Sequence, residues 1–363
     1  MTFQYHRLDM PKRYGWLLII LFAAALLRFA DLSQVPPGLT HDEANHGLDA
    51  WGIVNGVRPI YFTVGYGREP LFDYATALLM TFLGPSYLAG RLTSAFISLI
   101  LVAATYAWVR RAFNHRTGLL ASAALAVSFW PVMTGRQALR SGTLPVLLAL
   151  AAYFFWQALN LVNADTIQTH KISHRSLRRR SPAFNFLIAG ILLGVSFYAY
   201  IPARVIWLIF PGLLAFLAIF NRPLFKKGWR GTALMLFIGA LIALPLVTFL
   251  LANPLVETRL GQLSQPLTSA NNGDFRPLLE NTKAGLRTLT IEGDSQWRYN
   301  IPGRPILAPI LAFLFYIGLV IALWRILLGL REKDKEKLTR ASVAFFALLW
   351  LVAGLSPVLI TGA

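Results

Sequence analysis

This sequence predicts an all-α fold, a polytopic membrane helix bundle of about nine spanning helices with interfacial helices in its first extracytoplasmic loop. Three observations carry that prediction. The 363 residues are 56% apolar and only 14% charged, too little polar surface for a water-soluble domain of this size. Apolar runs long enough to cross ~30 Å of hydrocarbon recur from end to end. No tract of soluble-domain composition separates them, so residues 1–363 read as one transmembrane domain. The net charge of +18 gathers in short loops between those runs, the pattern of cytoplasmic loops rather than of a nucleic-acid surface. With no cysteine, disulfides, thiol catalysis and thiolate metal sites are excluded together.

Taken in order, the first run, Trp16 to Phe29, follows Arg7, Lys12 and Arg13 in the manner of a signal peptide. Arg28 near its end and the lack of a small-x-small cleavage site favour an uncleaved signal anchor. An outer loop, 31–86, comes next and contains Leu71 to Leu83, an apolar run of only thirteen residues that carries Asp73. If this run does not cross, the basic stretches Arg110–Arg116, His170–Arg180, Arg222–Arg230 and Arg325–Arg340 all fall on the side of the N-terminus. If it crosses, that asymmetry collapses. The positive-inside rule therefore makes Leu71–Leu83 an outer interfacial helix. The remaining spans are Tyr87–Val109, Thr117–Met133, Leu144–Val162, Ala183–Tyr200, Val205–Phe220, Thr232–Ala252, Ile306–Leu323 and Ala341–Ile360. The N-terminus is then cytoplasmic, and the loops 31–86, 134–143 and 253–305 are extracytoplasmic. The first and third are too long to be simple connectors, and long loops in compact proteins carry function. His170–Arg180 and the mixed-charge run Arg331–Arg340 read as solvated inner loops, the former favouring anionic lipid heads.

The first outer loop holds the densest chemistry. Thr40-His41-Asp42-Glu43 opens a helix after Pro36-Pro37-Gly38, with Thr40 and Glu43 at the spacing of a capping box. A helix N-terminus also favours the ionised form of a nearby carboxylate, the form that a general base for a hydroxyl acceptor requires. Asp42 and Glu43 are thus the candidate catalytic pair. His41 and His46 have no matched ligand set and are expected in hydrogen-bonding roles, so no metal site is assigned. In Gly65-Tyr66-Gly67-Arg68-Glu69-Pro70, glycines permit close backbone approach beside Arg68 and Glu69. A guanidinium at headgroup depth suits phosphate. Snorkelling to lipid headgroups, or pairing with Glu69, is the equal alternative. Arg136 and Arg140 stand four apart, on one side of any helical turn, and Arg204 ends a short outer link. These cations would focus potential on an anionic headgroup or pair with Asp42, Glu43 and Glu69. In the third loop, near Glu257 and Arg259, the segment 292–305 brings Asp294, Trp297 and Arg298 for sugar stacking and hydroxyl bonding, while Tyr299 suits an interfacial belt.

Three segments carry a family resemblance: Pro-Pro-Gly-x-x-x-Asp-Glu at 36–43, Gly-Arg-Glu-Pro-Leu-Phe at 67–72, and Gly-Asp-x-x-x-Arg-x-Asn-x-Pro-Gly at 293–303. They resemble bacterial relatives of the protein O-mannosyltransferases, polytopic glycosyltransferases of the GT-C superfamily, with the lipid A aminoarabinose transferase as a cousin. The resemblance covers essentially the whole chain. It implies transfer of a hexose or pentose from a polyprenyl-phosphate-linked donor, usually with inversion, on the extracytoplasmic face of the cytoplasmic membrane. Asp42 matches the family's first-loop catalytic aspartate, expected to take the acceptor proton, and Glu43 the acid beside it. Arg68 falls where the aminoarabinose transferase has a basic residue near the lipid phosphate, and Arg136 and Arg140 lie where relatives place donor-handling groups. Two departures stand out. The second loop lacks the acid that relatives often carry, for which Asp294 is the substitute offered. The chain also ends at Ala363, just after the ninth crossing, where relatives usually continue, so a truncated or partial protein is expected.

The expected mechanism has Asp42 activating the acceptor while Arg68, with one or more of Arg136, Arg140 and Arg204, stabilises the departing polyprenyl phosphate. Expected partners are the polyprenyl-phosphate sugar donor, membrane lipids and an acceptor that is protein, lipid or glycan, with no nucleic acid. A divalent cation has no complete ligand set in the sequence, and no cofactor is assigned. A transporter or flippase for lipid-linked substrates is the alternative. It calls for midplane ionisable residues, broken helices and paired repeats, whereas the charges here collect at outer helix ends.

Overall fold

The computed structural model describes residues 9–64, 66–159, 181–257, 265–297, 300–332 and 334–360. Among them every regular element is helical, apart from one bridge pairing Phe62 with Arg68. The helices are α1 (Asp9–Phe29), α2 (His41–Val54), α3 (Leu71–Leu83), α4 (Tyr87–Ala112), α5 (His115–Val127), α6 (Phe129–Thr134), α7 (Thr143–Ala158) and α8 (Pro182–Ser196). They continue as α9 (Ala203–Ile206), α10 (Ile209–Phe220), α11 (Arg222–Ala252), α12 (Gln265–Asn271), α13 (Arg276–Thr290), α14 (Pro309–Glu332) and α15 (Lys335–Ile360). The architecture is the all-α polytopic bundle that the composition demands. Six segments among the described residues are long and apolar enough to cross a membrane: Tyr87–Ala112, Arg140–Ala158, Ala203–Phe220, Arg222–Ala252, Pro309–Glu332 and Lys335–Val358. The apolar part of α1, together with α3 and α8, is shorter, so helix length alone does not yield nine spans. The predicted helix Leu71–Leu83 appears with those bounds as α3.

The run Thr117–Met133 is not one helix, and the cause is local. Proline at position 131 has no N–H to offer the carbonyl four residues back, and Ser128 adopts an extended conformation (φ −66°, ψ 139°) that separates α5 from α6. The break leaves carbonyls at the end of α5 without intrahelical donors. Arg28, fully buried on α1, supplies them: its guanidinium donates to Ala126 O at 2.9 Å, Leu125 O at 3.3 Å and Ser98 Oγ at 2.7 Å. The predicted inner loop Arg331–Arg340 is instead mostly helix. Because α14 runs to Glu332 and α15 starts at Lys335, the charges pair across and along a tight turn, Lys337 with Glu332 and Arg340 with Glu336. Arg222–Arg230 likewise belongs to α11. The tract His170–Arg180 lies outside the described residues.

The main core is aromatic and joins α7, α8, α10, α11 and α15. Phe155 stacks on Phe346 with centroids 6.3 Å apart, and Trp156 meets the same ring edge-on at 5.3 Å. Glycines on α8 let it approach α11 closely, since a Cβ at Gly190 would come within 2.6 Å of Met235 O. Two smaller clusters position the site. Ala24, Val102 and Ala126 seal α1 against α4 and α5. Ala50, Ile53, Ala77, Met80 and Ala89 seal α2 and α3 against α4. The helix ends sort as alternation requires. Tyr14, Tyr106, Arg110 and His115 meet at one end of the α1, α4 and α5 group, while residues 31–43 and 134–143 meet at the other.

Candidate active site

The first outer loop is held in shape by two buried arginines that bind its backbone. Arg136 donates to the carbonyls of Leu27 at 2.7 Å, Ala30 at 2.8 Å and Val35 at 2.9 Å, so it caps the C-terminal end of α1, where a cation is favoured. Arg91, an arginine in the first turns of an otherwise apolar span, reaches the carbonyls of Leu32 at 3.3 Å, Pro36 at 2.9 Å and Gly38. Its Nε donates to Glu43 Oε1 at 3.2 Å. Glu43 is buried and fully committed. Oε1 also accepts from the backbone N–H of Ala138 at 3.1 Å, and Oε2 accepts from the N–H of Thr40 at 3.0 Å. The reciprocal bond from the Glu43 N–H to Thr40 Oγ1 completes the capping box read from the sequence. This ties the first turn of α2 to α4 and to the second outer loop.

Asp42 sits in that same first turn, half-buried. Seven residues later, nearly two helical turns and ~10 Å along the axis, Asp49 lies on the same side of α2. Asp49 Oδ2 accepts from Arg68 Nε and Nη2, both at 2.6 Å. The side of α2 that carries Asp42 is therefore the side on which Arg68 lies. Arg68 itself is fixed by paired backbone bonds with Phe62, each 2.9 Å, and by the Phe62 ring beneath its guanidinium.

The next residue, Glu69, is a hub for separate outer segments. It has no exposed surface. Arg204 Nη2 lies 3.4 Å from Oε1, and Arg140 Nη1 lies 3.1 Å from Oε2 without hydrogen-bond alignment. Arg204 also grips Glu257, with Nη1 donating to Oε2 at 2.7 Å, and Tyr61 donates its hydroxyl to Glu257 Oε1 at 3.3 Å. Arg140 lies over the Tyr200 ring at 5.4 Å, and the N–H of Leu71 bonds Tyr198 O at 2.9 Å. Loop 59–70, the second outer loop, the link 198–204 and the start of the third loop thus meet around one carboxylate. Burial pushes the Glu69 carboxyl above its ordinary range despite the two guanidiniums. Burial also raises the Tyr61 hydroxyl, which stays neutral and donating.

The structure separates some residues that the sequence grouped. Arg136 and Arg140 are not on one helical face. Residues between them are not helical, and the two guanidiniums go to α1 and Glu69 respectively. Arg68 pairs with Asp49, seven residues after Asp42, and not with its neighbour Glu69. In the third loop, Asp294 caps its own turn through the Gln296 N–H at 2.8 Å, and Asn300 clamps the carbonyls of Asp294 and Arg304. Arg304 stacks over Phe129 at 4.4 Å, which sets this loop against α6. Trp297 is 79% exposed. Arg298, Tyr299, Arg259 and Gly65 lie outside the described residues. His41 bonds Asn45 at 3.0 Å on the surface, whereas His46 is buried against Asp73. Sequence reading missed Asp49, Arg91 and Tyr61. A carboxylate seven residues after Asp42 was the signal for Asp49 and an arginine inside a span the signal for Arg91, whereas no sequence signal pointed to Tyr61.

Residues 67–252 match the family described as dolichyl-phosphate-mannose-protein mannosyltransferase. This chain belongs to that family. Solved structures agree at the level of fold. One is the archaeal oligosaccharyltransferase AglB from Archaeoglobus fulgidus in complex with an inhibitory peptide and a dolichol-phosphate (TM-score 0.58, 14% identity, 97% of this chain and 50% of that one). Another is ArnT from Cupriavidus metallidurans bound to undecaprenyl phosphate (TM-score 0.51, 14% identity, 95% of this chain and 77% of that one). This mannosyltransferase-family chain therefore has the GT-C fold and is a multi-pass membrane protein, spanning about half the length of the oligosaccharyltransferase it matches. No curated protein matches it significantly.

Proposed function

We propose that the protein is a glycosyltransferase that moves a sugar from a polyprenyl-phosphate-linked donor to an acceptor hydroxyl on the extracytoplasmic face of the cytoplasmic membrane. One observation carries the reading. Arg68, Arg140 and Arg204 come from separate segments to carboxylates, Arg68 to Asp49 on the Asp42 side of α2 and the other two to Glu69, the residue after Arg68. Asp42 takes the acceptor proton as its oxygen attacks the anomeric carbon. The bond from that carbon to the phosphate oxygen breaks with inversion, and the guanidiniums neutralise the leaving polyprenyl phosphate. A phosphate leaving group needs charge stabilisation more than protonation, so arginines suit it. Arg136 and Glu43, committed to backbone and to Arg91, hold the loop instead. Asp294 and the exposed Trp297 are assigned to the sugar or acceptor side. Family membership supports the donor class, and the two solved relatives were crystallised with lipid phosphates. A flippase path along the bundle receives less support, because the buried cation of α1, Arg28, is taken up by helix-end carbonyls.

The test is transfer by purified protein from undecaprenyl-phosphate mannose and related sugar donors to peptide, lipid and glycan acceptors. Asp42→Asn is expected to lower the rate by ~10²–10⁴-fold, the usual loss for a general base. Near-full transfer by a folded Asp42→Asn protein would sink the assignment.

A further inference from the structure

Where α2 packs on α3, their outer ends carry a buried pair that neither the capping box nor the Glu69 hub uses. His46 Nδ1 lies 2.6 Å from Asp73 Oδ1, with side chains 7% and 0% exposed. The other Asp73 oxygen is buried without a partner, and so is the hydroxyl of Thr76 one turn on. The His46 ring meets Phe72 edge-on at 5.1 Å. Below the pair the seam is apolar and made largely of small or flexible side chains: Ala50, Ile53, Ala77 and Met80. Such a seam resists separation but tolerates sliding and rolling, because burial energy has no direction. A hydrogen-bonded pair does have direction. It also adds little net stability, because desolvation cancels most of its attraction, and an apolar pair at the same positions would extend the seam.

The pair stands between the two halves of the site. Asp42 is one turn before His46 on α2, and Arg68 and Glu69 lie just before Asp73 on the chain entering α3. Asp49 to Arg68 ties the same two segments at a second point. We propose that His46 and Asp73 are positioning residues that fix the register of α2 on α3, and through it the placement of Asp42 against the donor phosphate. The proposal rests on the glycosyl-transfer reading above. A displacement of about 1 Å between reacting groups costs on the order of 10²-fold in rate, so the pair should act on kcat and leave donor binding intact.

The experiment compares wild type, Asp42→Asn, the apolar double variant His46→Leu with Asp73→Leu, and His46→Asn. Asparagine keeps an N–H near the place of Nδ1. Thermal unfolding in detergent, undecaprenyl phosphate binding and kcat for transfer from undecaprenyl-phosphate mannose are measured for each. The double variant is expected to fold, to bind undecaprenyl phosphate within about twofold of wild type, and to lose about 10²-fold in kcat. His46→Asn should recover most of that loss. A folded double variant with wild-type kcat, or His46→Asn as impaired as the double variant, would overturn the proposal. If the double variant does not fold, His46→Asn against His46→Gln, whose amide nitrogen lies near the place of Nε2 and not of Nδ1, gives the same decision. A wild type without transfer activity, or Asp42→Asn with full activity, would instead remove the glycosyl-transfer reading.

Discussion

A guanidinium that satisfies backbone carbonyls cannot turn to a ligand without stranding those carbonyls at a helix end. One that faces a carboxylate can exchange it for another anion. By this criterion Arg28, Arg91 and Arg136 are framework, with mainly carbonyls as partners. Arg68, Arg140 and Arg204 are recruitable, since their partners are Asp49, Glu69 and Glu257. Glu69 controls part of that exchange. Its carboxyl is raised by burial, so it takes up a proton at a higher pH than an exposed glutamate. Protonation removes one negative charge from beside Arg140 and Arg204 and leaves more positive charge for an incoming phosphate. Binding of undecaprenyl phosphate should therefore tighten as pH falls through the raised Glu69 value. Glu69→Gln should bind more tightly than wild type wherever Glu69 is ionised, by about fivefold at the ~1 kcal/mol scale of one partly screened charge, and should lose this part of the pH dependence. Titrations of both proteins over pH 5 to 8 cancel the ionisation of the phosphate itself. Parallel pH curves for the two would exclude Glu69 as the titrating group.

At the level of elements, the turn before α3 depends on one glycine. Gly67 has φ +80°, and a Cβ there would lie 2.5 Å from the Tyr61 hydroxyl and 2.6 Å from Val256 O. Gly67→Ala should destabilise by about 1–3 kcal/mol from strain plus crowding, read as a lowered Tm, and should weaken transfer by loosening Glu257 from Tyr61. Gly84, also at positive φ (+73°) but with open space around its Cβ position, isolates the strain. Equal losses at the two glycines would show that the third loop does not press on this turn. Much of this element structure was legible in the sequence. Thr40 and Glu43 gave the start of α2, and the bounds of α3 followed from its apolar run. The break at Ser128 was not legible from hydropathy, because Phe129 to Met133 stays apolar through the proline. Helices α12 and α13 inside the third loop were also missed, since neither contains a continuous apolar run. The site was legible as residue types but not as pairs. Spacing in sequence placed Arg136 with Arg140 and Arg68 with Glu69, whereas contacts across the chain decided otherwise.

For the whole molecule, the decisive variable is whether α3 lies along the outer surface or crosses. Its thirteen residues rise ~20 Å, short of a ~30 Å hydrocarbon core. Its first residue, Leu71, and Glu69 just before it share backbone and ionic contacts with the link 198–204, which closes the α8 end of the bundle. Those contacts place residues 68–71 and 198–204 at one level, as an interfacial α3 requires. The absence of cysteine makes the point directly measurable, because any cysteine introduced reports alone. Three exposed positions suffice. Gln34 precedes α3 and, in the proposed orientation, is extracytoplasmic in either topology, whereas Lys226 and Trp297 follow α3 and exchange sides if it crosses. In sealed right-side-out vesicles, Gln34→Cys and Trp297→Cys should react with a membrane-impermeant maleimide, and Lys226→Cys only after permeabilisation. The reverse result for the last two would put α3 through the membrane. Arg204 and Glu257, which follow α3, would then lie on the opposite side from Asp42 on α2, although the Glu69 hub binds them to the same end. An interfacial α3 is the arrangement under which a single lipid phosphate at headgroup depth can meet Asp42 and the recruitable arginines together.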